Sequence, residues 1–106
     1  IYDDMDLPLG NIKISFGRSS GGHRGVESII KSLKTKDFVR IRIGISPTTA
    51  SGKVRKPKDE EAVIKFILGK LKDSDEEVLK KMRKKINEAI LMIIEEGKEK
   101  AMGEFN

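Results

Sequence analysis

Ser19-Ser20-Gly21-Gly22-His23-Arg24-Gly25 runs straight into Val26-Glu27-Ser28-Ile29-Ile30. Three glycines in five residues permit positive φ and let backbone come close to a ligand. Val26, Ile29, Ile30 and Leu33 then fall at i, i+3, i+4 and i+7, so the turn opens an amphipathic helix over 25–33. The first amides of a helix have no partner within it and favour anionic or carbonyl oxygens. Gly21 and Gly22 are therefore candidate ligand-binding backbone. A tight connection between two elements is the competing reading.

Strands flank this turn. Asn11 to Gly17 alternates polar and apolar, which predicts a half-buried strand with Ile12, Ile14 and Phe16 toward the core and Lys13 and Ser15 outward. After the helix, Val39, Ile41, Ile43 and Ile45 share one face of a second strand, and Arg40 and Arg42 share the other. Paired arginines on a strand suit a phosphate contact, a buried ion pair or a plain solvent-facing surface. Ile1 to Gly10 reads as the end of a strand breaking into an acidic turn, punctuated by Pro8 and Gly10. Its three carboxylates, Asp3, Asp4 and Asp6, could hold a cation, orient a catalytic base or simply be solvated. His23 is the only histidine, so no histidine pair exists for a metal site, and a packing or hydrogen-bonding role is expected.

Further on, Ser46 to Lys58 is a basic loop with Pro47, Gly52 and Pro57. Asp59-Glu60-Glu61 opens a short helix through Leu68, which Gly69 closes. Ser74-Asp75-Glu76-Glu77 is a capping box for a long helix whose apolar face is Val78, Leu79, Met82, Ile86, Ala89, Ile90, Ile93 and Ile94. Lys80, Lys81, Arg83, Lys84 and Lys85 crowd its first half as a solvated surface that could add to a basic field. Gly97 interrupts this helix, and 98–106 is a tail that frays or docks.

The 106 residues suit one domain or part of one. The absence of cysteine excludes disulfides, thiolate nucleophiles and cysteine-based zinc sites. No apolar run reaches membrane-spanning length, and a cytoplasmic protein is the expectation. The net charge of +5 conceals an asymmetry: residues 11–58 hold twelve lysines and arginines against two acids. That concentration points to an anionic partner, nucleic acid first. Two strands do not make a stable sheet alone. The expectation is therefore that these residues are the C-terminal part of a larger α/β domain.

Taken together, Asp3-Asp4-Met5-Asp6-Leu7-Pro8-Leu9-Gly10, Gly21-Gly22-His23-Arg24-Gly25, Arg40-Ile41-Arg42-Ile43-Gly44-Ile45 and Phe66-Ile67-Leu68-Gly69-Lys70 resemble the bacterial peptidyl-tRNA hydrolase family in order and spacing. Glu95-Glu96-Gly97, Ala101-Met102 and Phe105-Asn106 resemble that family's C-terminus. The resemblance covers all 106 residues, as the C-terminal portion of a single domain. It implies a mixed sheet with helices on both faces, three layers in the complete domain. It also implies an esterase that cleaves peptide from the 3′ ribose of peptidyl-tRNA, with no metal or cofactor, acting as a monomer at full length.

In that family a histidine from the N-terminal half is the general base, and an aspartate at the position of Asp3 hydrogen-bonds it. A carboxylate there fixes the imidazole tautomer and stabilises its charged form. Arg24, with Gly21 and Gly22, falls in the substrate-binding motif, but where the family usually has asparagine. Asparagine both donates and accepts, whereas arginine only donates. Lys13 and Arg42 match basic positions of the tRNA-facing surface, and Ser15 stands where some members have a second lysine. His23 is not the family's catalytic histidine. With no histidine expected beside Asp3, the 106 residues alone should lack activity. The alternative is a non-catalytic RNA-binding relative on the same scaffold.

Overall fold

The computed structural model describes residues 1–47 and 73–106. The basic loop beyond Pro47, the short helix expected to start at Asp59 and the Phe66–Lys70 motif lie outside the described residues. The elements are β1 (Tyr2–Pro8), β2 (Ile12–Phe16), α1 (Arg24–Leu33), β3 (Val39–Ser46), α2 (Asp73–Glu96) and α3 (Lys98–Phe105). The protein is α/β, with a three-stranded mixed sheet in the order β1-β3-β2. β3 pairs parallel with β1 and antiparallel with β2.

The acidic stretch is therefore strand, not turn. Asp3 lies opposite Ile43 and Asp4 opposite Gly44 in the β1–β3 ladder. β3 offers a β-branched apolar row, and pairing with it overrides the low strand propensity of aspartate. The ladder shifts register between Asp4 and Pro8. Gly44 makes that irregularity possible: a Cβ there would fall 2.0 Å from the Pro8 carbonyl oxygen. The Gly44 amide donates to Asn11 O at 2.8 Å, and Ser46, fully buried, donates its hydroxyl to Met5 O.

The core joins one sheet face to the two C-terminal helices. Ile12, Ile14 and Ile41 meet Met82, Ala89 and Ala101, and Val39, Ile43, Ile86, Ile90 and Ile93 pack around them. The other phase of β3 is also covered. Arg40, fully buried, donates to Ser19 O at 2.8 Å and Lys36 O at 3.0 Å. The segments entering and leaving α1 thus lie over the face opposite Ile41, with the sheet between them and α2.

Four expectations change. Ser15 is buried, because it lies in register with buried Arg40. Phe16 is 41% exposed at the end of β2, where the Lys98 ammonium sits over its ring. On α1 only Val26 is buried, and Ile29 and Leu33 stand in solvent among the described residues. Ile94 is exposed as well, because it lies off the seam that Met82 and Ala89 mark on α2.

α2 begins at Asp73, one residue before the expected cap. Gly97, at φ +93, breaks the helix as expected. The tail docks rather than frays: α3 packs on β2, and the Asn106 amide closes on the Ile14 backbone. Asn106 Oδ1 accepts from Ile14 N at 2.7 Å, and Nδ2 donates to Ile14 O at 2.9 Å. The side chain thereby mimics one more strand on the open side of β2.

Candidate active site

Gly21 and Gly22, at φ +60 and +84, turn the chain out of β2 and into α1. Only glycine takes up such conformations in succession without strain. Ser20 ties the turn: its hydroxyl accepts from Gly22 N at 3.2 Å and its carbonyl from His23 N at 3.1 Å. His23 is the N-cap of α1, with Nδ1 accepting from Val26 N at 3.2 Å. Both glycines are exposed, and a Cβ on either would meet nothing within 4 Å. Their backbone is open to a ligand.

The cap fixes the imidazole. Since Nδ1 accepts, Nε2 carries the proton, and it donates to Asp3 Oδ1 at 2.9 Å. The Tyr2 ring meets the imidazole edge-on at 4.9 Å between centroids. The β1 strand thus supplies both the carboxylate and the aromatic wall, and the turn supplies the imidazole. The Asp3 side chain is 41% exposed and that of His23 27%. The pair is reachable from solvent while its geometry is held by backbone on both sides.

This corrects the expectation that no histidine stands beside Asp3. The sequence assigned Asp3 and His23 to separate local features, an acidic turn and a glycine turn. Register brings them together: β1 pairs with β3, and the glycine turn folds back along it. The packing and hydrogen-bonding role expected of His23 holds, since it caps α1 and holds Asp3.

The other candidate residues lie apart from this pair. Arg42 Nη1 donates to Asp4 Oδ2 at 3.0 Å, with both side chains largely buried. Of the readings open for the strand arginines, Arg42 takes the ion pair and Arg40 becomes a clasp on backbone carbonyls. Lys13, in register with Arg42, is exposed. Among the described residues, the buried Nε atoms of Arg40 and Arg42 and the Ser15 hydroxyl have no hydrogen-bond partner. Arg24 is exposed at the first position of α1, in an open groove with Gly22, Glu27, Ser28, Lys31 and Ser32. Among the described residues, no three His, Cys, Asp or Glu side chains converge as metal ligands.

The described residues thus place a carboxylate–imidazole pair beside a glycine turn on a mixed-sheet α/β unit. The sequence model of the peptidyl-tRNA hydrolase family matches residues 1–106, and the chain belongs to that family. It is 42% identical over 102 residues to the peptidyl-tRNA hydrolase of Aquifex aeolicus, covering 96% of this chain and 48% of that protein. It is 45% identical over 109 residues to the peptidyl-tRNA hydrolase of Thermodesulfovibrio yellowstonii, covering 100% of this chain and 51% of that protein.

Among solved structures, a peptidyl-tRNA hydrolase in complex with N-propanol superposes with a TM-score of 0.79 at 24% identity, over 98% of this chain and 48% of that one. The Acinetobacter baumannii peptidyl-tRNA hydrolase gives 0.78 at 23% identity, with the same coverage. These likenesses show the fold. The chain spans about half the length of the relatives it matches.

Proposed function

We propose that this chain provides one wall of an esterase site that hydrolyses the bond between peptide and tRNA in peptidyl-tRNA. The observation that carries the reading is the 2.9 Å contact between Asp3 and His23 beside an open glycine turn. In this reaction a histidine base takes a proton from water, and the water oxygen adds to the ester carbonyl carbon. The tetrahedral intermediate collapses, the ribose oxygen leaves with a proton, and the peptide departs with a free carboxyl group. Asp3 is placed to accept from the N–H of such a base, which fixes the tautomer whose other nitrogen takes that proton. The exposed backbone of Gly21 and Gly22, where the Gly22 amide is bonded to the Ser20 hydroxyl, and the Arg24 guanidinium face the substrate peptide, where arginine can grip a carbonyl oxygen.

On the family resemblance the general base is a histidine outside these 106 residues, and Asp3 would serve it. His23, already on Asp3, has its own Nδ1 occupied by the helix cap, so it positions the carboxylate. Lys13 is the basic contact to tRNA, with Arg42 behind it in the same register. The site of action is the cytoplasm.

The test is cleavage of N-acetylaminoacyl-tRNA by the 106-residue chain and by the protein encoded with its neighbouring sequence. Cleavage by the longer protein that Asp3→Asn abolishes, with none by the 106 residues, supports the reading. Cleavage by the 106 residues alone would move the base to His23. Binding of tRNA with no cleavage by either would sink the hydrolase reading in favour of a non-catalytic RNA-binding relative.

A further inference from the structure

Arg40 is a charge buried in the sheet without a carboxylate. It is 1% exposed, and among the described residues the ion pairs are His23–Asp3, Arg42–Asp4, Lys98–Glu99 and Lys100–Glu96. Its guanidinium carbon stands 4.5 Å from the centre of the Phe38 ring, and its terminal nitrogens donate to Ser19 O and Lys36 O. Burying an unpaired guanidinium is unfavourable, and an apolar side chain of similar length would pack there more readily. What the charge obtains is a hold on these two carbonyls.

The two carbonyls lie on either side of α1: Ser19 precedes the glycine turn and Lys36 follows the helix. One guanidinium thus closes the whole 19–36 excursion onto β3. A planar fork bridges two acceptors at fixed spacing, which a single ammonium on a flexible stem does not. The Lys36 carbonyl also accepts from Phe38 N at 3.0 Å, so the exit of α1 has a second tie.

The entry is where the hold matters. Ser19 stands four residues before His23. Arg40 on β3 pins Ser19, and Asp3 on the neighbouring strand β1 pins His23. Between the two pins lie Ser20, Gly21 and Gly22, the glycines at φ +60 and +84. Consecutive glycines have the widest backbone freedom in a chain, and this short stretch would sample many conformations if either end were released. Fixing both ends to adjacent strands presents its backbone in one arrangement before any ligand arrives.

We infer that Arg40 is a positioning residue for the glycine turn and, through it, for the His23–Asp3 pair. Its effect on cleavage rests on the proposed function, but its hold on the turn is measured without substrate.

The experiment compares Arg40→Met and Arg40→Lys in the 106-residue chain. Methionine keeps an unbranched stem, removes the buried charge and leaves no carboxylate behind, so this variant should stay folded. Hydrogen exchange followed by NMR reads the His23 amide, which donates to Ser20 O, against the amides of β3. Exchange at His23 should accelerate about tenfold or more in Arg40→Met, the factor carried by one charge-assisted hydrogen bond, with the β3 amides still protected. The Nε2 proton of His23, held on Asp3, should exchange faster as well. Arg40→Lys keeps the charge without the fork and should fall between, which serves if the methionine variant folds poorly. Ser19→Ala and Lys36→Ala leave both carbonyls in place and should match wild type within about twofold.

In the protein encoded with its neighbouring sequence, Arg40→Lys should lose about tenfold in kcat/KM on N-acetylaminoacyl-tRNA, mostly through KM, because the turn faces the peptide in the ground state. Equal acceleration of exchange at His23 and across β3 would make Arg40 a plain stabilising residue and overturn the inference. So would wild-type exchange at His23 in the folded variants, or unchanged kcat/KM in a variant whose turn is loosened. A loosened turn in a protein whose longer wild-type form cleaves no ester would sink the esterase reading and leave the hold of Arg40 on the turn standing.

Discussion

His23 accepts the Val26 amide on Nδ1 and donates from Nε2 to Asp3 Oδ1, so one imidazole both starts α1 and holds a carboxylate on β1. The two jobs can be separated. Asparagine is a good N-cap but is too short to reach Asp3 as well. His23→Asn should therefore keep stability within about 0.5 kcal/mol, whereas His23→Ala should lose about 1 kcal/mol through the cap. Urea denaturation followed by circular dichroism measures both. If cleavage depends on the Asp3 contact, both variants should slow it equally despite their different stabilities. A His23→Asn protein as active as wild type would remove His23 from the positioning of Asp3.

Asp4 on β1 and Arg42 on β3 form a carboxylate–guanidinium pair, with side chains 10% and 17% exposed. Removing one partner strands a charge where water reaches it poorly. Arg42→Ala should cost about 2 kcal/mol or more, and Asp4→Ala a comparable amount. The double variant should cost clearly less than the two singles together, because neither charge is left behind. A double-mutant cycle by denaturant titration reads the coupling. Additive costs would mean that Arg42 is not held by Asp4 and is free to serve tRNA.

Gly44 meets Pro8 so closely that any side chain must push β1 away from β3. Gly44→Ala should destabilise the chain by about 3 kcal/mol or more, since the obstacle is backbone carbonyl rather than a movable side chain. β1 also carries Asp3, so the same substitution should reduce ester cleavage even at temperatures where the variant stays folded. A Gly44→Ala protein with wild-type melting temperature would contradict the close approach.

The sequence pattern revealed what period and turn chemistry control. Strands at Ile12–Phe16 and Val39–Ser46, a helix after the glycine turn and a break at Gly97 all follow from local alternation, spacing or backbone freedom. Non-local pairing was not visible that way. Nothing in Asp3-Asp4-Met5-Asp6 looks like a strand until β3 lies beside it, and only then does Asp3 come to face His23. The exposed Ile29 and Leu33 make the same point from the opposite side: amphipathic spacing identifies a face but not what covers it. Asp3 entered the candidate site through family resemblance. Its bond to His23 was not, because it depends on register.

Asn106 marks the last of these non-local contacts. Both hydrogen bonds of its side-chain amide go to Ile14, a residue 1% exposed at the centre of β2. Without them the Ile14 amide and carbonyl would have no partner on the open side of the sheet. Asn106→Ala should cost about 1 to 2 kcal/mol. Asn106→Asp should cost at least as much, because its carboxylate cannot donate to the Ile14 carbonyl. Hydrogen exchange locates the effect: the Ile14 amide should lose protection in Asn106→Ala well before the β3 amides do. Uniform loss of protection across the sheet would instead mean that Asn106 acts on global stability and does not cap β2.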